Sequence, residues 1–217
     1  MQPYKVTTVQ DFAKEITAEM DRPRYKYIPG QYADDMLSKG TIKVGSFSDY
    51  RNCEHAEIGD PNELKGISIN VIDELSFANG SSFKNLTLVD DGEINDQLAY
   101  CVTRSPSKQC MREFNADVCI EISNIVEFAF HVSIALFMQN KNDSNHFQVQ
   151  NCIYMEERKF LNCGLPFDCF TAVKEMRYSH QHETRAIFKN RSVSPIQLSP
   201  EILDVPGIIP LLKVINL

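Results

Sequence analysis

The chain has 217 residues, a mass of 24.8 kDa, 43% hydrophobic and 24% charged residues, and a formal net charge of −7. That length predicts a single domain over residues 1–217, one that buries roughly 70% of its unfolded surface and folds without a metal or disulfide staple. The composition excludes a collagen repeat, a disordered tail and a small disulfide scaffold, and the acidic balance excludes a generally basic nucleic-acid coat while allowing a local basic groove.

The first twenty residues carry charges throughout and lack the continuous apolar run of a secretory signal. Apolar residues at Val9, Phe12, Ala13 and Ile16 have helical spacing, so a helix is expected over Thr8–Met20, capped by Thr8. Arg24-Tyr25-Lys26-Tyr27-Ile28 alternates and is aromatic, which predicts a short strand, broken at Pro29-Gly30. A short helix over Tyr32–Ser38 follows, stopped by Gly40, and then a strand over Thr41–Gly45. The polar stretch from Ser46 to Lys65, holding Arg51, His55, Asp60 and Glu63, is expected to be a long loop, and long loops inside compact domains are often functional.

Strand patterns then run over Gly66–Ile72, Leu75–Phe77, Asn85–Val89 and Gln97–Thr103, with Asp90-Asp91-Gly92 as a turn signal. Asp117–Ile122 is another strand, running into a helix over Asn124–Met138 that is apolar nearly all round and therefore expected to be buried. That segment contains Glu127 and His131 and is too short to cross a bilayer, so no membrane association is expected. A polar loop over Asn140–Asn145 precedes strands at Phe147–Tyr154, Phe170–Lys174 and Tyr178–Lys189. The order predicts an α+β fold with a mixed or antiparallel sheet and a buried central helix. Regular βαβ alternation is missing, and no Gly-rich dinucleotide or phosphate-loop motif occurs.

Seven cysteines, an odd number with no C-x-x-C pair, point to reduced thiols in the cytoplasm. No zinc spacing is present, and His180 and His182 lack a third ligand placed by sequence, so no metal is expected. If Ser179–Phe188 is a strand, Gln181, Glu183 and Arg185 share one face and His180, His182 and Thr184 the other. A carboxylate at Glu183 beside Gln181 can accept a bond from a sugar hydroxyl and stabilise an oxocarbenium-like charge. Equally, Glu183 and Arg185 suit an ordinary ion pair on an exposed strand. The interleaved cations and aromatics of Arg24, Tyr25, Lys26 and Tyr27 suit a ligand with a phosphate and a stackable ring, or a half-buried edge strand. Arg51 is a candidate phosphate clamp, or a solvated loop arginine.

These pieces together resemble a broad group of uncharacterised bacterial and phage proteins. The resemblance rests on Tyr25-Lys26-Tyr27, the helix ending Leu37-Ser38-Lys39-Gly40-Thr41-Ile42, Asp49-Tyr50-Arg51-Asn52, Tyr100-Cys101-Val102-Thr103, Asp117–Ile122, and the Y-x-x-Q-x-E-x-R string from Tyr178 to Arg185. More distantly, the layout is similar to that of ADP-ribosyltransferases, with a basic first strand, a following helix and a late Gln/Glu pair. The central Ser-Thr-Ser strand of one subclass of those enzymes has no full counterpart. That likeness implies NAD as the bound substrate, Arg24 or Lys26 against its phosphate or ribose, Tyr25 or Tyr27 stacked on nicotinamide, Gln181 orienting an acceptor and Glu183 on the nicotinamide ribose.

The resulting expectation is an intracellular NAD-using transferase, an effector or toxin of bacterial and phage conflict, with a nucleic-acid or protein acceptor. The alternative is a non-enzymatic module that binds a nucleotide or a protein partner through Gln181–Arg185 and Arg51. A metal-independent nuclease using His180 or His182 with Lys26 is a third class, disfavoured by the acidic charge.

Overall fold

The computed structural model describes residues 9–53, 59–76, 80–93, 95–140, 146–156, 159–161, 167–189 and 198–217. Helix α1 (Val9–Ile16) leads through a turn into β1 (Arg24–Ile28) and α2 (Gly30–Lys39). Pro29 stands at the α2 N-cap, and the Asp117 carboxylate takes up the Gly30 N–H that the helix start leaves open. Gly40 ends the helix at φ 75°, a left-handed position that glycine adopts without Cβ strain, and its N–H returns to the Met36 carbonyl. β2 (Thr41–Ser46) follows as expected.

The expected loop after Ser46 is corrected at its start. The Ser46 hydroxyl accepts from the Asp49 N–H and caps a short helix, α3 (Phe47–Asn52). Two long strands, β3 (Lys65–Ser76) and β4 (Ser82–Glu93), pair antiparallel along their length. Asp90-Asp91-Gly92 is therefore not a turn: each residue lies in the ladder, opposite Ser68, Ile67 and Gly66. β5 (Leu98–Thr103), α4 (Lys108–Glu113) and β6 (Val118–Ile122) lead to α5 (Ile125–Met138), whose N-cap Asn124 accepts from the Val126 and Glu127 N–H groups. The expected Phe147–Tyr154 strand is split at Cys152 into β7 (Phe147–Asn151) and β8 (Ile153–Met155).

β9 (Lys159–Leu161) runs parallel to β3. Two of the later expected strands are shorter than their sequence suggests. A 3-10 turn over Phe167–Ala172 precedes β10 (Val173–Glu175), and another over Met176–Gln181 precedes β11 (Glu183–Phe188). β12 (Glu201–Asp204), a 3-10 turn over Pro206–Leu211 and β13 (Leu212–Ile215) complete the chain. The Thr8 cap, His55, Phe77, the 141–145 loop and Cys163 lie outside the described residues.

The main sheet has eight strands and is antiparallel, as the α+β expectation requires, with parallel pairs in the two small sheets, β8 with β10 and β3 with β9. β11 covers one edge of β5. On the other edge, β5 pairs with two strands: with β2 at Ala99 and Leu98, and with β1 at Thr103 alone. β1 and β2 thus diverge from β5 like the arms of a fork, leaving Tyr100, Cys101 and Val102 unpaired on that side.

Helix α5 packs on one face of this sheet, where Ile125, Phe128, Ala129, Val132 and Leu136 join Tyr100, Val102, Ile120, Ile122, Ala186 and Phe188 in the main core. The expectation of an all-round buried helix is corrected. α5 lies on the sheet rather than inside it, so its outer side meets no other layer among the described residues, and Phe130, Phe137 and Met138 are 49%, 51% and 75% exposed. No helix among the described residues is long and apolar enough to cross a membrane.

Candidate functional site

A cavity of about 640 Å³ occupies the fork and is lined from both faces of the sheet. Its walls come from Tyr25–Pro29 of β1 and its exit, Tyr32, Asp35 and Met36 of α2, Thr41–Lys43 and Gly45 of β2, Asp49 and Tyr50 of α3, and Tyr100–Thr103 of β5. Its far wall carries Glu63, Lys174, Gln181, Glu183 and Arg185. The early aromatic strand and the late Gln/Glu pair, set far apart in sequence, therefore meet across one space.

Strand alternation explains which groups arrive there. Tyr25 is opposite Thr103, and Thr103 is opposite Glu183, so these three lie in one row on the face away from α5. Arg24 and Thr184 are one position off that row and point to the α5 side, where the Arg24 Nε donates to Thr184 Oγ1 at 3.0 Å. The rest of the Arg24 guanidinium donates to the carbonyls of Glu19 and Arg22, both at 2.8 Å. Arg24 is 1% exposed and closes the turn after α1; it is not part of the cavity wall. Arg51 also stands off the wall, with a contact of 3.4 Å to Ser48 Oγ inside its own helix.

Lys26 starts on the α5 side and reaches into the fork. Its Nζ donates to the Cys101 carbonyl at 2.9 Å, one of the acceptors that strand divergence leaves without a ladder partner, and lies 4.7 Å from the centre of the Tyr100 ring. No carboxylate is in ion-pair range of Lys26 among the described residues. Burial pulls the ammonium below its ordinary value, against the opposing pull of the Glu183 charge. The Cys101 thiol beside it is pushed up to about 12 by burial and by Glu183, which leaves it a protonated, inert wall group.

Tyr27 is less available than its neighbour Tyr25. Its hydroxyl accepts from the Ser107 N–H at 2.7 Å and its ring meets Phe114 at 5.9 Å, so it holds the loop before α4. Burial pushes its phenol up to about 12. Tyr50 lies directly over Gly45: a Cβ there would sit 2.7 Å from the Tyr50 hydroxyl oxygen, and that hydroxyl donates to the Ala99 carbonyl at 3.2 Å. Gly45 is what lets the hydroxyl end of Tyr50 approach β2 this closely at the cavity wall.

The far wall is a chain of buried charges. Arg185 grips Glu63 with two bonds of 2.7 and 3.0 Å, and its Nε donates to Glu183 Oε1 at 2.6 Å. The other Glu183 oxygen takes the Lys174 ammonium at 2.5 Å, and Lys174 also donates to Gln181 Oε1 at 2.8 Å. Burial alone would raise the Glu183 pKa, but Arg185 and Lys174 overcome it and hold the carboxyl far below its ordinary range. The Glu183–Arg185 ion pair is thus present, though on a strand buried along its whole length rather than an exposed one. Two carboxylates face two cations here, so the far wall is internally neutral; elsewhere on the lining Lys43 pairs with Asp49, and Lys26 and Asp35 stand as one charge of each sign.

Gln181 and Glu183 come together although the strand expectation fails between them. Gln181 ends the 3-10 turn and His182 is in the left-handed region at φ 44°. What joins them is Lys174, a group the sequence analysis did not single out; a lysine closing the apolar run Phe170-Thr171-Ala172-Val173 was the available signal. His180 pairs with Glu113 at 2.7 Å, and no cluster of metal-binding side chains occurs among the described residues. Cys53, Cys101, Cys110, Cys119 and Cys152 are free thiols. Comparison of the chain with protein-family models, with curated proteins and with solved structures gives no match.

Proposed function

We propose that the fork cavity binds a nucleotide and that NAD is the nucleotide it takes. The observation that carries this reading is the position of Lys26: a cation without an acidic partner, facing an aromatic-walled cavity whose remaining buried charges cancel. A phosphate oxygen supplies the missing counter-charge, and a charge-assisted bond of this kind contributes about 1.5–3 kcal/mol. Tyr25 and Tyr32 offer ring faces for a base or a nicotinamide. Calorimetric titration with NAD tests the reading. Saturable binding is expected for the native chain, and Lys26→Met should weaken it at least about tenfold; unchanged affinity in that variant removes Lys26 from the site.

A second reading, ADP-ribosyl transfer, is favoured by Gln181 and Glu183 lining the same cavity as Tyr25 and Lys26. Glu183 is ionised across the neutral range, and each of its oxygens keeps a lone pair beyond its ion-pair contact. Such a carboxylate can accept a ribose hydroxyl and oppose positive charge developing at the anomeric carbon. The surrounding charge argues the other way: Lys174 and Arg185 both bind Glu183 directly, and a carboxylate already neutralised by two cations has little charge left to offset a cationic transition state. Binding is therefore the leading reading. NAD turnover by the native chain, reduced by a factor on the order of a hundred in Glu183→Gln with binding retained, would promote transfer over binding.

A further inference from the structure

Beyond ligand binding, we infer that Lys26 is a carbonyl-reactive amine, and that the fork cavity can hold a planar aldehyde or ketone on it as an imine. The inference rests on the same cavity as the nucleotide reading but not on the identity of the nucleotide.

Three features of the geometry support it. The half-buried amine stands inside the fork, within reach of a cavity large enough for a ring-bearing molecule. Its Nζ meets a neutral carbonyl and a ring face, and among the described residues no carboxylate stabilises the protonated form by direct contact. The other cationic side chains of the cavity are tied to acids: Lys43 to Asp49 at 3.3 Å, Lys174 to Glu183, and Arg185 to Glu63 and Glu183. Burial eases loss of the Lys26 proton against the opposing pull of the Glu183 charge, and desolvation of this kind favours the neutral, nucleophilic form of a lysine.

The chemistry balances without an oxidant or reductant. The Nζ lone pair attacks the carbonyl carbon, a C–N bond forms, and the C=O π pair moves to oxygen, which takes the proton that nitrogen gives up. The carbinolamine hydroxyl then takes up the proton that the ammonium released to solvent before the attack and leaves as water, while the nitrogen pair forms C=N. In sum, one ammonium and one aldehyde give one protonated imine and one water. The imine nitrogen retains a single N–H, enough to keep the bond to the Cys101 carbonyl, and it retains the positive charge. Tyr25 and Tyr32, which line the same cavity, offer ring faces to the planar carbonyl compound.

The test is to incubate the native chain with pyridoxal, trap imines with borohydride and map the labelled lysines by mass spectrometry over time. Lys26 should be labelled at least about threefold ahead of the exposed Lys39 and Lys108, because a carbonyl compound gathered in the cavity meets this amine at raised effective concentration. Lys26→Arg keeps the charge and should lose this fast label with the fold intact by thermal melting. Adding NAD should slow labelling if the nucleotide reading holds; fast labelling unaffected by NAD leaves this inference standing and counts against that reading alone. Labelling of Lys26 no faster than that of Lys39 and Lys108, or a fast label that persists on another lysine in Lys26→Arg, overturns the inference.

Discussion

Tyr25 and Glu183 occupy one row of the sheet, each aligned with Thr103 of the strand between them. This alignment makes the far wall of the cavity a fixed part of the sheet, held by Lys174 and Arg185. Glu183→Gln leaves Lys174 buried without its acid and Arg185 with one acid in place of two. The expected cost is about 3 kcal/mol in urea unfolding. Adding Lys174→Met to it should recover part of that loss, a non-additive coupling that separates a broken charge chain from a mere packing defect.

The same chain of charges sets the acid limit of the fold. The Glu183 pKa is lower in the folded state than the ordinary carboxyl value of 4.5, so below that value the unfolded chain binds the extra proton first. The stability Glu183 contributes is complete above about pH 5 and is lost progressively as the pH falls further. Unfolding midpoints measured from pH 7 down to pH 3 should decline most steeply at the acid end. The decline should be shallower in Lys174→Met/Glu183→Gln, which no longer carries the titrating group.

Gly45→Ala tests the support of Tyr50. The added methyl meets the Tyr50 ring, with 2.8 Å to Cζ, so the ring must swing away from β2 or the strand must shift. A loss of about 1–3 kcal/mol is expected from such overpacking. Tyr50→Ala in the same chain should relieve most of that added cost, and the difference between the two backgrounds, measured by thermal unfolding, reports the contact itself.

Arg24 and Lys26 are two residues apart and should respond oppositely. Arg24→Gln removes donors to Thr184, Glu19 and Arg22 and should cost about 1–3 kcal/mol of stability. Its effect on NAD affinity should stay within about twofold, because the guanidinium is outside the cavity wall. Lys26→Met should show the converse pattern, a small stability change and a large affinity change. Calorimetry beside a urea titration reads both.

The strands and helices that position the site were legible where the signal is local. Alternation in Arg24–Ile28, the Gly40 stop and the Asn124 start each lie in a few neighbouring residues, and each is observed. The Ser46 cap of α3 was equally local but hidden by the polar run around it. The fork was not legible, because it depends on two strands competing for one edge of β5, a relation that no short window contains. For the same reason the sequence favoured Arg24 and Lys26 alike, and Glu63 looked like a loop acid although it is 2% exposed and clamped by Arg185. Asp90-Asp91-Gly92 carried turn chemistry, yet the long β3–β4 ladder overrides it.

The most direct test of the account is a crystal structure of the protein soaked with NAD. The account predicts ligand density in the fork, with a phosphate oxygen within hydrogen-bond distance of Lys26 Nζ and a ring against Tyr25 or Tyr32. An empty fork at saturating NAD, or a ligand bound elsewhere on the molecule, would contradict it.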